Sequence, residues 1–488
     1  MESVWKKEVP PFAHGQEGAL PRRTEVAIVG GGLVGVLTAL YLKENGIDSV
    51  VLEAGEAPGV GQSGRTTGKI TCQHGLKYAA LIRDKGESAA RTWASACQGA
   101  IHAYEGIVGR LGLSCDLELL PALLYTQKND GALEREASAA RRCGIAAELR
   151  RRTDLPFDVS LALSYPRQAQ LQPYKFLLGV ASRVRVFCGV RVTAIKGRHL
   201  LTEEGDEIEA QRVVLACHYP IGLLPSTVFT RLWQSTSYVL ALGGVRPLAG
   251  MYYGIDRDGL SLRSHGSTLL LTGMSHRTGE DHPPAFEALE GRAREYFPEG
   301  HVVTRWAAQD CMSEDGLPLV GPASPLTPHH YIATGFSKWG MTGAMLAAQM
   351  IAGDIVGAPH FAAPLCSPAR FTLSRLRATA RQVGETARGW GRRLFEVPAE
   401  LSHELAPGEG EIALSGGIKV AHSRDEQGEE HILRPYCTHM GCQLNYNPDT
   451  LSWDCPCHGS RFSEEGKVLD APATKPLSKK PTAQGDTP

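Results

Sequence analysis

The sequence predicts an α/β fold built on a parallel sheet, followed by a small all-β domain near the C-terminus. Three stretches carry that prediction. Residues 25–55, EVAIVGGGLVGVLTALYLKENGIDSVVLEAG, read as a strand, a glycine turn, a helix and a second strand. Residues 331–356 repeat the order of strand, glycine-rich turn (Gly335 to Gly343) and apolar helix. From residue 400 onward, short β-rich runs flank a group of four cysteines and two histidines between Cys437 and His458.

Bulk composition sets the limits. A chain of 488 residues, 42% of them hydrophobic, has room for roughly two to four domains with real cores. Lys+Arg of 51 against Asp+Glu of 52 leaves a net charge of -1, so no global field recruits nucleic acid, and no nucleic-acid partner is expected. The segment before Arg22-Arg23 lacks an apolar core, and no run of about 18 apolar residues occurs, so no transmembrane segment and a cytoplasmic location are expected. Eight of the twelve cysteines are scattered without pattern, as thiols are in reducing compartments.

In the first stretch, Gly30-Gly31-Gly32-Leu33-Val34-Gly35 has G-x-G-x-x-G spacing at a strand-to-helix junction. Gly30 permits the tight turn, Gly32 lets a pyrophosphate approach the backbone at the helix N-terminus, and Gly35 lets helix and strand pack closely. Glu53, closing the second strand, stands where a carboxylate accepts hydrogen bonds from ribose hydroxyls. The following GVGQSGRTTGK, residues 59–69, offers small and hydroxylic residues to a phosphate or a flavin edge. The second helix N-terminus, at 340, suits a flavin ring that develops negative charge at N1 and the C2 oxygen. FAD is therefore the expected cofactor.

With these motifs, residues 1–362 resemble the D-amino-acid oxidase type of FAD-dependent oxidoreductase, the group that includes glycine and sarcosine oxidases and D-amino-acid dehydrogenases. The resemblance rests on the fingerprint, on Ser63-Gly64-Arg65-Thr66-Thr67, on VVLACHYP at 213–220, and on WAAQDCMSEDGLPLVG at 306–321 followed by Gly335-Phe336. It implies an FAD-binding Rossmann-like domain from segments 22–75, 180–220 and 305–360. Interleaved with it is an α+β substrate domain with a large mixed sheet, from 76–179 and 221–304. It also implies that Gly30, Gly32, Leu33, Val34 and Glu53 hold the ADP half and that Ser63, Arg65, Thr66 and Thr67 approach the flavin. Val190 or Val192 would touch the adenine side through the backbone, and Gly335, Gly340, Met341 and Thr342 would lie near the pyrimidine edge.

Relatives of this type clamp a substrate carboxylate with arginine and use tyrosines as a lid. Strand-like stretches carry Tyr252 and Arg263, and His276 follows on the next. Arg263 is expected to hold a carboxylate, Tyr252 to close over it and His276 to accept a proton. A surface arginine and a turn histidine are the competing readings. Cys311 is not expected to link covalently to the flavin, because its spacing from Asp315 differs from that of the sarcosine oxidases that do so.

Cys437-Thr438-His439 and Cys455-Pro456-Cys457-His458 each offer one thiolate and one imidazole. That is the ligand set of a Rieske [2Fe-2S] centre, with Cys437 and Cys455 on one iron and His439 and His458 on the other. A Cys2His2 zinc site is the rival. Against zinc, Cys442 and Cys457 stand at equivalent places in the two boxes, where a disulfide would tie the loops, and Gly441, Gly459 and Ser460 let donors reach the sulfurs. Residues 430–477 are closely similar to the Rieske proteins of cytochrome bc complexes in CTHMGC and CPCHGS. Those proteins place a tyrosine two positions after the serine, donating to a cysteine sulfur; Phe462 stands there in this chain. The cluster potential is therefore expected below the respiratory proteins and above plant-type ferredoxins.

Residues 363–399 form an arginine-rich helical connector, read as a solvated face across the flavin domain rather than a membrane-surface helix. Residues 400–478 are the Rieske domain and 479–488 a disordered tail. The chain is thus expected to be an enzyme, a dehydrogenase that moves hydride from a small amine, amino acid or related substrate to FAD. Electrons would pass singly to the cluster and on to an external acceptor, protein or quinone. A Rieske oxygenase would need a 2-His-1-carboxylate iron domain after the cluster, where only a short tail follows. A pyridine-nucleotide reductase would need a second G-x-G-x-x-G unit in mid-chain, which the sequence lacks. A flavin/Rieske electron-transfer reductase, or a redox sensor without an amine substrate, is the alternative.

Overall fold

The computed structural model describes residues 2–12, 19–220, 228–370, 373–401 and 404–479. The last four residues of the strand Arg23–Val29 are all buried, as in a parallel strand covered on both faces. It pairs in parallel with Ser49–Leu52 on one side and Glu207–Leu215 on the other, near the middle of an eight-stranded sheet. His330–Thr334 adds in parallel beyond Glu207–Leu215, Leu319–Pro322 closes that edge antiparallel, and Val186–Phe187 extends the opposite one. Helices Leu33–Glu44 and Gly340–Val356 pack against each other, with charge only in their last turns and most residues buried. Each follows a strand of this parallel set, so both N-termini open at the carboxyl edge of the sheet, where such sheets bind ligands. The β-rich stretch VFCGVRVTAI, residues 186–195, divides between two strands: Gly189, at φ +73°, turns the chain, and Val192–Lys196 forms a hairpin with His199–Thr202.

A nine-stranded mixed sheet stands beside it, in the order His301–Ser313, Leu232–Gly243, Thr268–Arg277, Ser261–His265, Met251–Gly254, Glu118–Thr126, Leu161–Gln170, Lys69–Ile70, with Glu148–Arg150 on Leu161–Gln170. Helix Ala285–Tyr296 covers one face through Phe286, Leu289 and Ala293. On the other face, Trp5 of the short helix Val4–Lys7 packs with Val239, Leu270 and Trp306. Strand alternation sorts the side chains between faces: Tyr238 and Leu240 enter the helix-covered core, while Ser237 and Val239 line a cavity on the opposite side.

Two antiparallel sheets make the C-terminal domain: Gly410–Ser415, Ile418–Arg424 and Glu430–Leu433, then Asn445–Asn447, Ser452–Asp454, Arg461–Ser463 and Val468–Asp470. Leu433, Leu444, Trp453 and Phe462 fill its core. The two cysteine–histidine boxes are the loops that leave Glu430–Leu433 and Ser452–Asp454. The helix Leu373–Phe395 precedes this domain, and its last turns lie on these loops rather than across the flavin domain alone. Trp390 Nε1 donates to the Met440 carbonyl at 2.9 Å, and a Cβ on Gly389 would come 2.7 Å from the Cys457 sulfur. Of the tail expected over 479–488 only Lys479 is described, bridging Leu433. No described helix is long and apolar enough to cross a membrane.

Candidate functional site

A cavity of about 460 Å³ starts at the carboxyl edge of the parallel sheet and runs on between the two sheets, a size typical of cofactor and substrate sites. The fingerprint glycines are sterically required there. A Cβ on Gly30, at φ +114°, would lie 2.6 Å from the Ala216 oxygen, one on Gly32 would lie 2.9 Å from Ser63 Oγ, and one on Gly35 would lie 2.0 Å from the Gly30 oxygen. Gly30, Gly32, Leu33 and Val34 line the cavity, and Gly35 sits behind them. Ser63 Oγ accepts from the Leu33 amide at 3.0 Å. The Glu53 carboxylate accepts from the Gly31 and Gly55 amides, both at 2.7 Å, which fixes it in the wall beside Val190 and Val192.

Arg65, Thr66 and Thr67 continue the wall toward Gly340 and Met341, where the second helix presents its free N–H groups. A glycine-shaped cradle and two helix N-termini on one cavity fit FAD. Two expected contacts lie outside it. Thr342 Oγ1 donates to the Thr71 carbonyl at 2.9 Å and accepts from the Thr71 amide at 3.1 Å, so its side chain ties a neighbouring loop. Gly335, at φ +72°, makes a turn against Ser313 and Leu232.

None of the three residues expected to act on substrate lines the cavity. Arg263 is buried beneath Trp5, whose ring lies 5.2 Å from the guanidinium, and its Nη1 donates to the Leu171 carbonyl at 3.0 Å. Tyr252 falls on the helix-covered face, with its hydroxyl on Asp154; alternation puts Tyr253 in the cavity instead. His276 stacks on His282 at 3.7 Å and meets the Tyr238 hydroxyl at 3.0 Å, and burial and His282 lower its pKa to about 4. The polar groups that do face this end are Tyr253, Ser261, Ser275, Asp310, Lys338 and Lys69. Lys338 Nζ is held by Ser237 at 2.7 Å, Ser275 at 3.0 Å and Asp310 at 3.2 Å. Lys69 Nζ donates to the Tyr252 carbonyl at 2.8 Å and to Ser261 Oγ at 2.6 Å, and burial, then Arg263, hold its pKa well below the ordinary lysine value. No motif marks Lys69 beyond its place at the end of the hydroxylic loop; period-two alternation, applied to Met251–Gly254, selects Tyr253.

In the C-terminal domain the two boxes converge. The His439 and His458 rings lie 5.1 Å apart at 87°. Cys442 and Cys457 are disulfide-bonded. The sulfurs of Cys442, Cys455 and Cys457 lie within 4.8 Å of one another, but two of them are used in the disulfide, leaving Cys455 with Cys437 as the thiolate pair. The Cys455 side chain, the amides of His439 and Met440 and the Ser460 hydroxyl act on the Cys437 thiol and bring it down to about 7 against the effect of burial. Both ring nitrogens of His458 are buried with no hydrogen-bond partner among the described residues, a costly state that iron ligation relieves. Two thiolates, two imidazoles and donors aimed at sulfur fit a [2Fe-2S] cluster.

The cluster loops are docked on the flavin domain. Gln234 Nε2 donates to the His458 carbonyl at 2.9 Å and the Ala471 carbonyl at 3.0 Å, and Gln309 Nε2 to the Gly459 carbonyl at 2.7 Å. His218, on the cavity wall, meets Gln234 Oε1 at 3.1 Å. Asp470 takes Gln62 at 2.8 Å, Arg461 at 3.0 Å and Arg65 at 3.4 Å. Burial would raise its pKa, and Arg65 and Arg461 outweigh that and hold it low. A Cβ on Gly279, at φ +77°, would stand 2.5 Å from the Pro456 nitrogen. Val468 to Ala471, with Ala473 and Thr474, form part of the cavity wall itself.

Comparison with known proteins assigns both halves. The family described as FAD dependent oxidoreductase matches residues 25–353, and the Rieske [2Fe-2S] domain matches residues 396–481. The Rieske 2Fe-2S iron-sulfur protein YhfW of Bacillus subtilis (strain 168) is 31% identical over 497 residues, covering 98% of this chain and 97% of that protein. The D-proline dehydrogenase of Pyrobaculum islandicum is 24% identical over 69% of this chain and 96% of its own length. Among solved structures, glycine oxidase from Geobacillus kaustophilus superposes with a TM-score of 0.60 at 18% identity, over 72% of this chain and 99% of that one.

Proposed function

The chain belongs to the FAD dependent oxidoreductase family and carries a Rieske [2Fe-2S] domain behind it, and from that premise we propose that it is a dehydrogenase of small amines or amino acids whose electrons leave through the cluster. The observation that carries this reading is the shared wall: Val468 to Ala471, with Ala473 and Thr474, of the cluster domain line the same cavity as the fingerprint glycines. FAD supplies two-electron hydride acceptance and the cluster one-electron transfer.

The chain's residues do the rest. Gly30 and Gly32 admit the pyrophosphate, Glu53 takes the ribose, and Thr66, Thr67, Gly340 and Met341 orient the ring. Tyr253, Ser261 and Ser275 bound the substrate end, from which a bound substrate displaces water. Gln234 and Gln309 hold the cluster loop on the mixed sheet, which suits transfer within the chain before any external acceptor is met. The amine or amino-acid class is supported by D-proline dehydrogenase and glycine oxidase as relatives of the flavin domain.

The test is anaerobic mixing of the fully loaded protein with D-proline, L-proline, glycine and small amines. The expected outcome is bleaching of the flavin's visible band followed by the electron paramagnetic signal of the reduced cluster. No bleaching by any of them, together with ready reduction by NADH, would replace this reading by that of a reductase.

A further inference from the structure

We infer that Lys69 is the general base of this cavity, its Nζ lone pair taking the proton from the substrate's amino or hydroxyl group as the C–H hydride departs. The reaction it serves rests on the function proposed above; the state of the lysine does not. A neutral amine has two N–H bonds and one lone pair. Both N–H bonds are used, on the Tyr252 carbonyl at 2.8 Å and on Ser261 Oγ at 2.6 Å, so the lone pair is left for the cavity that Lys69 lines.

The surroundings favour that neutral form. Arg263 projects from the same strand as Ser261 and repels an ammonium. Glu118 is engaged by Gln170 Nε2 at 2.6 Å, across the strand partner of Lys69, and Tyr253 faces the cavity from the next strand. Asp310 is paired with Lys338, 3.2 Å away. Among the described residues no carboxylate pairs with Lys69, and burial without an anion drives a lysine to shed its proton.

The step balances. The substrate's N–H or O–H bond breaks and leaves its electron pair on the heteroatom, while a new N–H bond at Nζ makes the ammonium. The C–H pair leaves as hydride to FAD, the oxidant that the family activity supplies, and the product carries a C=N or C=O bond. The lysine returns its proton to water once product has gone.

The test uses holoprotein with both cofactors and begins with sulfite, which adds to flavins without any substrate. An ammonium on the cavity wall would stabilise the anionic adduct. The wild-type sulfite Kd should therefore weaken about tenfold as pH rises and Lys69 deprotonates, and Lys69→Met should abolish that limb. Lys69→Arg, always charged, should bind sulfite tightly throughout and so shows that the site remains folded. With any substrate that bleaches the flavin, both variants should slow reduction by about 10²–10⁴-fold, and Lys69→Met should lose the rising pH limb and respond to added methylamine. Equal sulfite titrations in wild type and Lys69→Met, or wild-type reduction rates in Lys69→Arg, would overturn the assignment. Failure of every substrate would touch the proposed function and leave the sulfite result to decide on Lys69.

Discussion

Phe462 shows how much one atom decides in this molecule. It lies in the apolar core with Cys437 and Cys455, where the resemblance to the Rieske proteins of cytochrome bc complexes leads one to expect a tyrosine. Restoring it as Phe462→Tyr should raise the cluster potential. A hydrogen bond contributing about 1 kcal/mol corresponds to roughly 40 mV for one electron, and a redox titration reads the shift directly. Legibility also divides residue by residue. The fingerprint glycines and the two cysteine–histidine boxes are visible in the sequence because their chemistry is local: backbone space in one case, short spacing in the other. Arg263, Tyr252 and His276 fall off the cavity wall, and only for Tyr252 does a local pattern, strand alternation, foretell it. Tyr252 and Tyr253 are adjacent and differ only in the sheet face they reach, and Arg263 is covered by Trp5, a residue more than 250 positions away. Lys69, which does face the cavity, had no motif to announce it.

The elements are held by a few buried pairs between distant segments. Asp315 follows the long strand His301–Ser313 and takes Arg370 at 2.8 Å and Lys85 at 3.1 Å, tying the approach to the connector helix to the flavin domain. Burial alone would raise its pKa, but Arg370 and Lys85 outweigh that and bring it to about 2. A carboxylate depressed in the folded state stabilises it above the unfolded pKa and loses that contribution as pH falls through the folded one. Asp315→Asn should therefore cost about 2 kcal/mol at neutral pH, and its thermal midpoint should converge on that of wild type between about pH 4 and 2. The parallel core was legible here because strand, glycine turn and helix recur in order at both ends of the chain. The break at Gly189 was not, since VFCGVRVTAI is β-rich throughout and only the partner strands show where it divides.

At the scale of the whole molecule, the docking of the two halves was invisible in the sequence, because Gln234 and Gln309 meet residues 458, 459 and 471, some 150 or more positions away. Gly279 is the tightest point of that contact, and Gly279→Ala combines a clash on Pro456 with a strained backbone. The variant should keep substrate reduction of the flavin and slow the appearance of reduced cluster by at least about tenfold in stopped-flow absorbance, since small displacements of reacting groups are expensive.

The strand Val468–Asp470 has a consequence for biogenesis. It stands one hairpin beyond the Cys455–His458 loop that fits the cluster, and it forms part of the wall of the cavity that fits FAD. Protein made under iron starvation should consequently emerge poor in both cofactors, with FAD per chain falling alongside iron per chain when the two are assayed on the same preparation. Metal nutrition would reach an organic cofactor through one short piece of β-structure.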